Sequence, residues 1–141
     1  MGAEEVGQLA LRSVGRVDSP LTERAEAPKQ GDEGAPEATL EIVPELAAAL
    51  RGIEAGDEVL VLTWLDRGRR DVLEVHPRGD ASRPATGVFA TRSPDRPNPI
   101  GLHRVRVLAV DGPRLRVDGL EAIDGTPILD LKPVLGGVEE R

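Results

Sequence analysis

The chain has no cysteine and no tyrosine, and its aromatic content is a single tryptophan, Trp64, and a single phenylalanine, Phe89. Without cysteine there are no disulfides, no thiolate metal sites and no cysteine nucleophile. Only two histidines are present, His76 and His103, too few for a histidine-based zinc site, so the chemistry is expected to run without a bound metal. Two aromatic rings cannot build the successive stacking platforms of a single-strand reader, although one base or one cofactor ring is within their reach. No apolar run is long enough for a membrane span, and the acidic, alanine-rich start lacks the basic and apolar regions of a signal peptide. A cytoplasmic protein is therefore expected. With 141 residues, the length suits one domain spanning 1–141.

Excess positive charge is also missing overall: 18 Lys and Arg stand against 25 Asp and Glu, a net of −7. That balance argues against an extended face for phosphate backbones. The charge is unevenly spread, however. Between Pro77 and Arg106, six arginines (78, 83, 92, 96, 104, 106) face Asp80 and Asp95, a local +4, which leaves −11 for the rest. Such concentration points to a local anionic partner.

What the chain does have is a proline-stiffened loop. Residues 92–99, Arg-Ser-Pro-Asp-Arg-Pro-Asn-Pro, hold three prolines and two arginines. Proline fixes its own φ and drives its predecessor out of the α region, so Ser93, Arg96 and Asn98 are biased towards extended geometry before any tertiary contact forms. The loop is rich in carbonyl acceptors, and Arg92 and Arg96 add forked donors, a surface suited to a ligand carrying both signs of charge.

Around this loop the pattern is β. Strands are expected at Leu9–Val17, Thr39–Val43, Glu58–Leu65, Asp71–His76, Thr86–Thr91, His103–Val110 and Arg114–Val117, with a turn at Asp111-Gly-Pro. Glu58–Leu65 is nearly continuous in apolar residues and reads as a central strand buried on both faces, with Trp64 in the core. The alternation from His103 places Val105 and Val107 opposite Arg104 and Arg106. One short helix, Glu45–Arg51, is expected behind Pro44 and before Gly52. Residues 18–38, rich in proline, glycine and charge, read as a flexible loop. The fold class is mainly β, a small closed barrel of about six to seven strands with one short helix. Neither a Rossmann glycine fingerprint nor a phosphate-binding loop occurs. Near the C-terminus, Asp124-Gly-Thr-Pro-Ile-Leu-Asp-Leu-Lys-Pro reads alone as a turn followed by an edge strand, and beside the arginine loop as a second wall of one pocket.

Taken together, Gly87-Val-Phe-Ala-Thr-Arg-Ser, Arg96-Pro-Asn-Pro-Ile-Gly and Asp124-Gly-Thr-Pro-Ile-Leu-Asp-Leu-Lys-Pro resemble the TsaA-like (TrmO) family of S-adenosylmethionine-dependent methyltransferases. Weaker echoes lie in Val14-Gly-Arg-Val-Asp-Ser-Pro, Ala27-Pro-Lys-Gln and Gly52-Ile-Glu-Ala. The resemblance implies a β-barrel homodimer with sites near the subunit interface, using S-adenosyl-L-methionine to N6-methylate threonylcarbamoyladenosine beside the anticodon of tRNA. Carried over by position, it implies a cofactor cleft of Gln30, Leu65, Asp66, Phe89, Ala90, Thr91, Arg92, Ser93, Arg96, Asn98, Pro99, Leu102, Asp124, Gly125 and Thr126. In that cleft Phe89 would pack on adenine, Arg92 or Arg96 would grip a carboxylate, and Arg96 and Lys132 would touch the acceptor. Asp130 and Asp124 would accept the proton of an N–H nucleophile, with His103 a weaker candidate because it opens a strand.

Three departures bear on the acceptor. Asp66 stands where the family commonly has histidine, Val134 where it has tyrosine, and the C-terminal extension of longer members is not expected after Arg141. A small-molecule acceptor, such as a nucleoside or an amino-acid-like natural product, is the alternative. A non-catalytic S-adenosylmethionine-binding module is a third reading, one that would keep the arginine loop but not the carboxylates.

Overall fold

A computed structural model describes residues 7–22, 37–76 and 80–136. Eight strands are present among the described residues: β1 Gly15–Asp18, β2 Ala38–Ile42, β3 Glu58–Trp64, β4 Glu74–Val75, β5 Thr86–Gly87, β6 Ile100–Asp111, β7 Arg114–Asp118 and β8 Pro127–Pro133. Six of them close into an antiparallel barrel in the order β1-β2-β7-β6-β3-β8, while β4 and β5 form a separate two-stranded ribbon. The ring is sealed by a short β1–β8 pairing, Gly15 opposite Ile128 and Arg16 opposite Pro127. Register shifts between Leu62 and Thr63 against β8, and between Val107 and Ala109 against β7, mark the irregularities that let a six-stranded sheet bend round on itself.

Alternation decides what fills the interior. Val17, Leu40, Val61, Val105, Val107, Leu115, Val117 and Ile128 point inward and are buried almost completely, each such side chain contributing about 1.5–3 kcal/mol by leaving water. Arg104 and Arg106 point outward, as the alternation from His103 predicts. Gly15 permits the close approach of β1 to β2, because a Cβ there would strike the Glu41 carbonyl oxygen.

Several expected elements differ in extent. The first strand begins only at Gly15, and Leu9 and Leu11 lie exposed before it. Asp71–His76 and Thr86–Thr91 shrink to two-residue strands because the prolines and charges between them leave no partner outside that ribbon. The short helix is a 3₁₀ helix over Pro44–Leu50. β3 buries only its inward face (Val59, Val61, Thr63), whereas Leu60, Leu62 and Trp64 are half-buried on the outside. Residues 128–132 are an edge only in part: β1 covers Pro127 and Ile128, whereas Asp130–Lys132 pair with β3 alone. No helix among the described residues is long and apolar enough to cross a membrane.

Outside the barrel, cross-strand ion pairs absorb much of the arginine charge. Glu41 takes Arg114 at 3.0 Å and Arg16 at 3.9 Å, Arg116 meets Glu37 at 3.6 Å, and Arg104 meets Glu58 at 3.0 Å. The hydrogen bond from Arg104, and then its charge, hold the Glu58 carboxyl below the usual carboxylate range. That pair therefore favours the fold at neutral pH and lapses as pH falls through the lowered value. Arg83 likewise faces Asp80 at 3.7 Å. Of the six arginines between 77 and 106, Arg104 is thus offset by a carboxylate outside that segment, while Arg83 meets Asp80 within it.

Candidate functional site

Antiparallel register brings the distant motifs together. The C-terminal ends of β1, β3 and β7 and the N-terminal ends of β2, β6 and β8 lie at one mouth of the barrel. The loop before β6 and the turn before β8 therefore share it.

The loop is braced by its own side chains. After β5 a 3₁₀ turn, Val88–Ala90, is closed by the Thr91 N–H and Oγ1, which donate to the Val88 carbonyl at 3.0 and 2.9 Å. Thr91 Oγ1 then accepts from the Ser93 N–H at 3.1 Å, and Ser93 Oγ from the Asp95 N–H at 3.2 Å. Arg96 turns inward. Its Nη1 donates to the Thr91 and Ser93 carbonyls at 2.9 and 3.0 Å, and its Nη2 to Val88 at 2.8 Å. A half-buried guanidinium thus satisfies three carbonyls of a segment whose prolines supply few donors.

A second segment, residues 65–71, clasps this loop. The Leu65 N–H donates to Pro99 O at 2.7 Å and the Arg96 N–H to Arg69 O at 2.8 Å. The Arg69 N–H donates to Asp95 Oδ1 at 2.9 Å. Arg70 donates through Nε to Pro97 O at 2.7 Å and through Nη2 to Asn98 Oδ1 at 2.8 Å, while its guanidinium carbon sits over the Trp64 ring, 5.3 Å from the centroid. The approach requires Gly68, where a Cβ would strike the Pro94 carbonyl and the Pro99 ring. At the rim Asp71 is held below its usual carboxylate range, chiefly by the side-chain hydrogen bond from Arg69.

The Asp-Gly-Thr turn is anchored to the end of β1. Asp124 Oδ1 accepts from the Ser19 N–H at 3.0 Å, and the Asp124 and Gly125 N–H groups donate to Leu21 O and Val17 O at 2.6 and 2.7 Å. Gly125 adopts φ 83°, a left-handed value that suits glycine. Thr126 is buried, its hydroxyl donating to Ile123 O at 2.6 Å. Asp130 and Lys132 lie further along, on the outer barrel wall, 3.5 Å apart. Asp130 is opposite Leu62 on β3, and Leu62 is opposite Leu102 on β6, so these three form a row across the outside.

Beneath the mouth runs a buried polar chain. His103 donates from Nδ1 to Glu121 Oε1 at 2.6 Å, and its Nε2 meets Thr63 Oγ1 at 2.7 Å. Gly101 makes room for the ring, because a Cβ there would press on both Thr63 Oγ1 and His103 Nε2. His103 thus faces the barrel interior, with both nitrogens engaged.

Of the residues read from sequence, Leu65, Asp66, Phe89, Ala90, Thr91, Arg92, Ser93, Arg96, Asn98, Pro99, Asp124, Gly125 and Thr126 gather at this one mouth. Leu102, Asp130 and Lys132 stand on the wall, and Gln30 lies outside the described residues. Phe89 is 83% exposed, and Arg92 is exposed with no side-chain hydrogen bond among the described residues. Trp64 is not core but a half-buried base for Arg70. Sequence reasoning missed Arg70, Thr63 and Glu121. A polar residue at an inward position of an apolar strand was a signal for Thr63; Arg70 and Glu121 carried none, since their partners lie 28 and 18 residues away.

A closed antiparallel barrel with a loop-built site at one mouth is a class of ligand-binding scaffold distinct from the doubly wound dinucleotide fold. Residues 16–139 match the tRNA-methyltransferase O N-terminal domain, and the chain belongs to that family. It is 45% identical over 126 residues to a probable S-adenosyl-L-methionine-binding protein of Methanothermobacter thermautotrophicus, covering 89% of this chain and 90% of that protein. A probable S-adenosyl-L-methionine-binding protein of Archaeoglobus fulgidus is 48% identical over 123 residues, which cover 87% of this chain and 33% of the relative. The crystal structure of TrmO from Pseudomonas aeruginosa superposes with a TM-score of 0.74 at 31% identity, over 92% of this chain and 57% of that one. The chain thus spans a third of the length of one such relative and little more than half of the TrmO chain.

Proposed function

We propose that this chain is a single-domain S-adenosylmethionine-dependent methyltransferase acting on N6 of threonylcarbamoyladenosine beside the anticodon of tRNA. The observation that carries the reading is the division of labour between the two loop arginines. Arg96 is consumed in bracing the loop, while Arg92 and Phe89 are left presented at the mouth. An exposed ring for adenine, a guanidinium unpaired among the described residues for a carboxylate and backbone carbonyls for an ammonium group match a zwitterionic nucleoside. The relatives' names agree with that match.

When bound, S-adenosylmethionine supplies a methyl group activated by its sulfonium. Transfer is an in-line displacement, and holding two reactants at attack geometry is worth ~7–11 kcal/mol in favourable cases. The braced loop suits that task because little of it must be ordered on binding. Phe89 packs on the adenine, Arg92 holds the carboxylate of the methionine tail or of the threonyl group, and Lys132 reaches the acceptor from the wall. Asp124 or Asp130 takes the proton released from the acceptor nitrogen. The exposed Ile100 and Leu102 (41% and 40%) with half-buried Leu62 offer an apolar outer face near the site, which supports a homodimer with its sites by the interface. A tRNA acceptor places the protein in the cytoplasm.

The net charge of −7 and the paired strand arginines favour a second reading, a small-molecule acceptor. Calorimetry with S-adenosylmethionine is expected to give saturable heat; none at millimolar ligand removes both enzyme readings. Nucleoside mass spectrometry of tRNA from cells with and without the gene separates the acceptors, because an unchanged profile retires tRNA. Gly68→Ala, which pushes the clasp from the loop, is expected to weaken cofactor binding about tenfold, since small misplacements are costly in a positioned site. Unchanged affinity would show that the clasp does not shape the cofactor site.

A further inference from the structure

Arg70 is an unusual surface arginine. Side chains of this length normally keep their rotamer freedom in water, yet this one is tied down by two hydrogen bonds and an indole. Its anchors are the carbonyl of Pro97 and the amide oxygen of Asn98, both in the proline loop, and its base is Trp64 at the end of β3. No carboxylate among the described residues lies within ion-pair distance of it, whereas its neighbour Arg69 is paired with Asp71 at 3.0 Å. Arg70 is also exposed, and Nη1 makes no hydrogen bond among the described residues. The result is a planar cation of fixed orientation, without a carboxylate partner among the described residues, at the mouth that bears Phe89 and Arg92.

We propose that Arg70 is the stacking platform for the nucleobase of the methyl acceptor. A guanidinium plane stacks on a base much as an aromatic ring does, and unstacked bases are commonly held this way. In a chain with two aromatic rings, one of them serving as the base under Arg70, the guanidinium supplies a flat surface that composition otherwise denies. Preorganisation lowers the cost of immobilising it on binding. The free Nη1 edge remains for an oxygen of the same acceptor. The proposal rests on the acceptor being a nucleoside or RNA, and names the residue that receives its base.

The test is equilibrium binding, with S-adenosylhomocysteine present, of an anticodon stem-loop RNA carrying threonylcarbamoyladenosine and of the free modified nucleoside. Trp64, the only tryptophan, reports directly by its fluorescence because it lies under Arg70. Wild type is expected to show saturable fluorescence changes. Arg70→Ala and Arg70→Lys are both expected to raise Kd by about tenfold or more for both ligands, and Arg70→Lys, which can still reach Pro97 or Asn98 and so hold the loop, is expected to keep the Kd of S-adenosylmethionine within about threefold of wild type.

Lysine keeps the charge and can still reach Pro97 or Asn98, so it remains informative if alanine disturbs the loop. Wild-type affinity in Arg70→Lys overturns the platform, since a bare charge would then suffice. A loss confined to the RNA overturns it in favour of a phosphate contact, and a parallel loss for S-adenosylmethionine overturns it in favour of a role in the donor site. Absence of any saturable change with wild type also sinks it. Arg70-dependent binding without methyl transfer would instead keep the platform and remove the enzyme reading.

Discussion

Arg92→Ala is expected to lower kcat/KM for methyl transfer by on the order of 100-fold or more, while the melting temperature of the free protein stays within about 2 °C of wild type. The rate effect follows from removing an oriented, charge-assisted donor at a site where positioning does most of the work. The small stability effect follows from Arg92's exposure and its lack of a side-chain partner among the described residues, because such surface changes are usually within about 0.5 kcal/mol. Arg96→Ala makes the contrast: it strips donors from three loop carbonyls at once, so its loss shows in loop order and cofactor affinity together. Steady-state kinetics with a thermal scan of the same preparations checks this. A large drop in melting temperature for Arg92→Ala would make that residue structural and leave the carboxylate grip without its main support.

The second large effect concerns stability. His103→Ala is expected to cost about 3–5 kcal/mol, because it opens a cavity at a buried position and strands both the Glu121 carboxylate and the Thr63 hydroxyl. Against a typical total of roughly 5–15 kcal/mol this is a major fraction, equivalent to roughly 10–20 °C in melting temperature for a chain of this size. Urea denaturation monitored by the fluorescence of Trp64 measures it. A loss below about 1 kcal/mol would mean that the Thr63–His103–Glu121 chain adds no more than an ordinary surface contact. Glu121→Gln, which keeps a hydrogen-bonding oxygen at the rim, is expected to lose less.

The two experiments divide the mouth into layers. Arg92 and Phe89 are the groups proposed to meet the ligand, Arg96 and the clasp hold the loop that carries them, and the His103 chain ties the segment leading to Asp124 to the strands that flank the loop. β6 joins two of these layers directly, since His103 lies three residues beyond Ile100, where the strand leaves the loop.

Much of the barrel was legible in the chain because strand alternation is a local property. Val105 and Val107 inside with Arg104 and Arg106 outside follows from a period of two residues, and the Asp111-Gly-Pro turn follows from local backbone preferences. Extents were less legible. Leu9–Ser13 carries apolar residues but finds no partner strand among the described residues, and Thr86–Thr91 is interrupted by its own 3₁₀ turn. Strand pairing is cooperative with a partner distant in sequence, so neither limit is written in the segment itself. The same reason explains β8, which resembles an edge strand in isolation and is covered on its second side only at Pro127 and Ile128, where β1 closes the ring.

By itself the amino-acid order settled the β class, the absence of thiol chemistry and the stiff, arginine-bearing loop, since backbone restriction by proline and side-chain alternation need only near neighbours. Only the tertiary structure decided which arginine is spent and which is presented. Arg96 turns to its own loop's carbonyls, Arg70 crosses to Pro97 and Asn98, and Arg104 is neutralised by Glu58, 46 residues away. A guanidinium takes whichever acceptors the fold delivers within about 3 Å, and that delivery is a matter of register and closure.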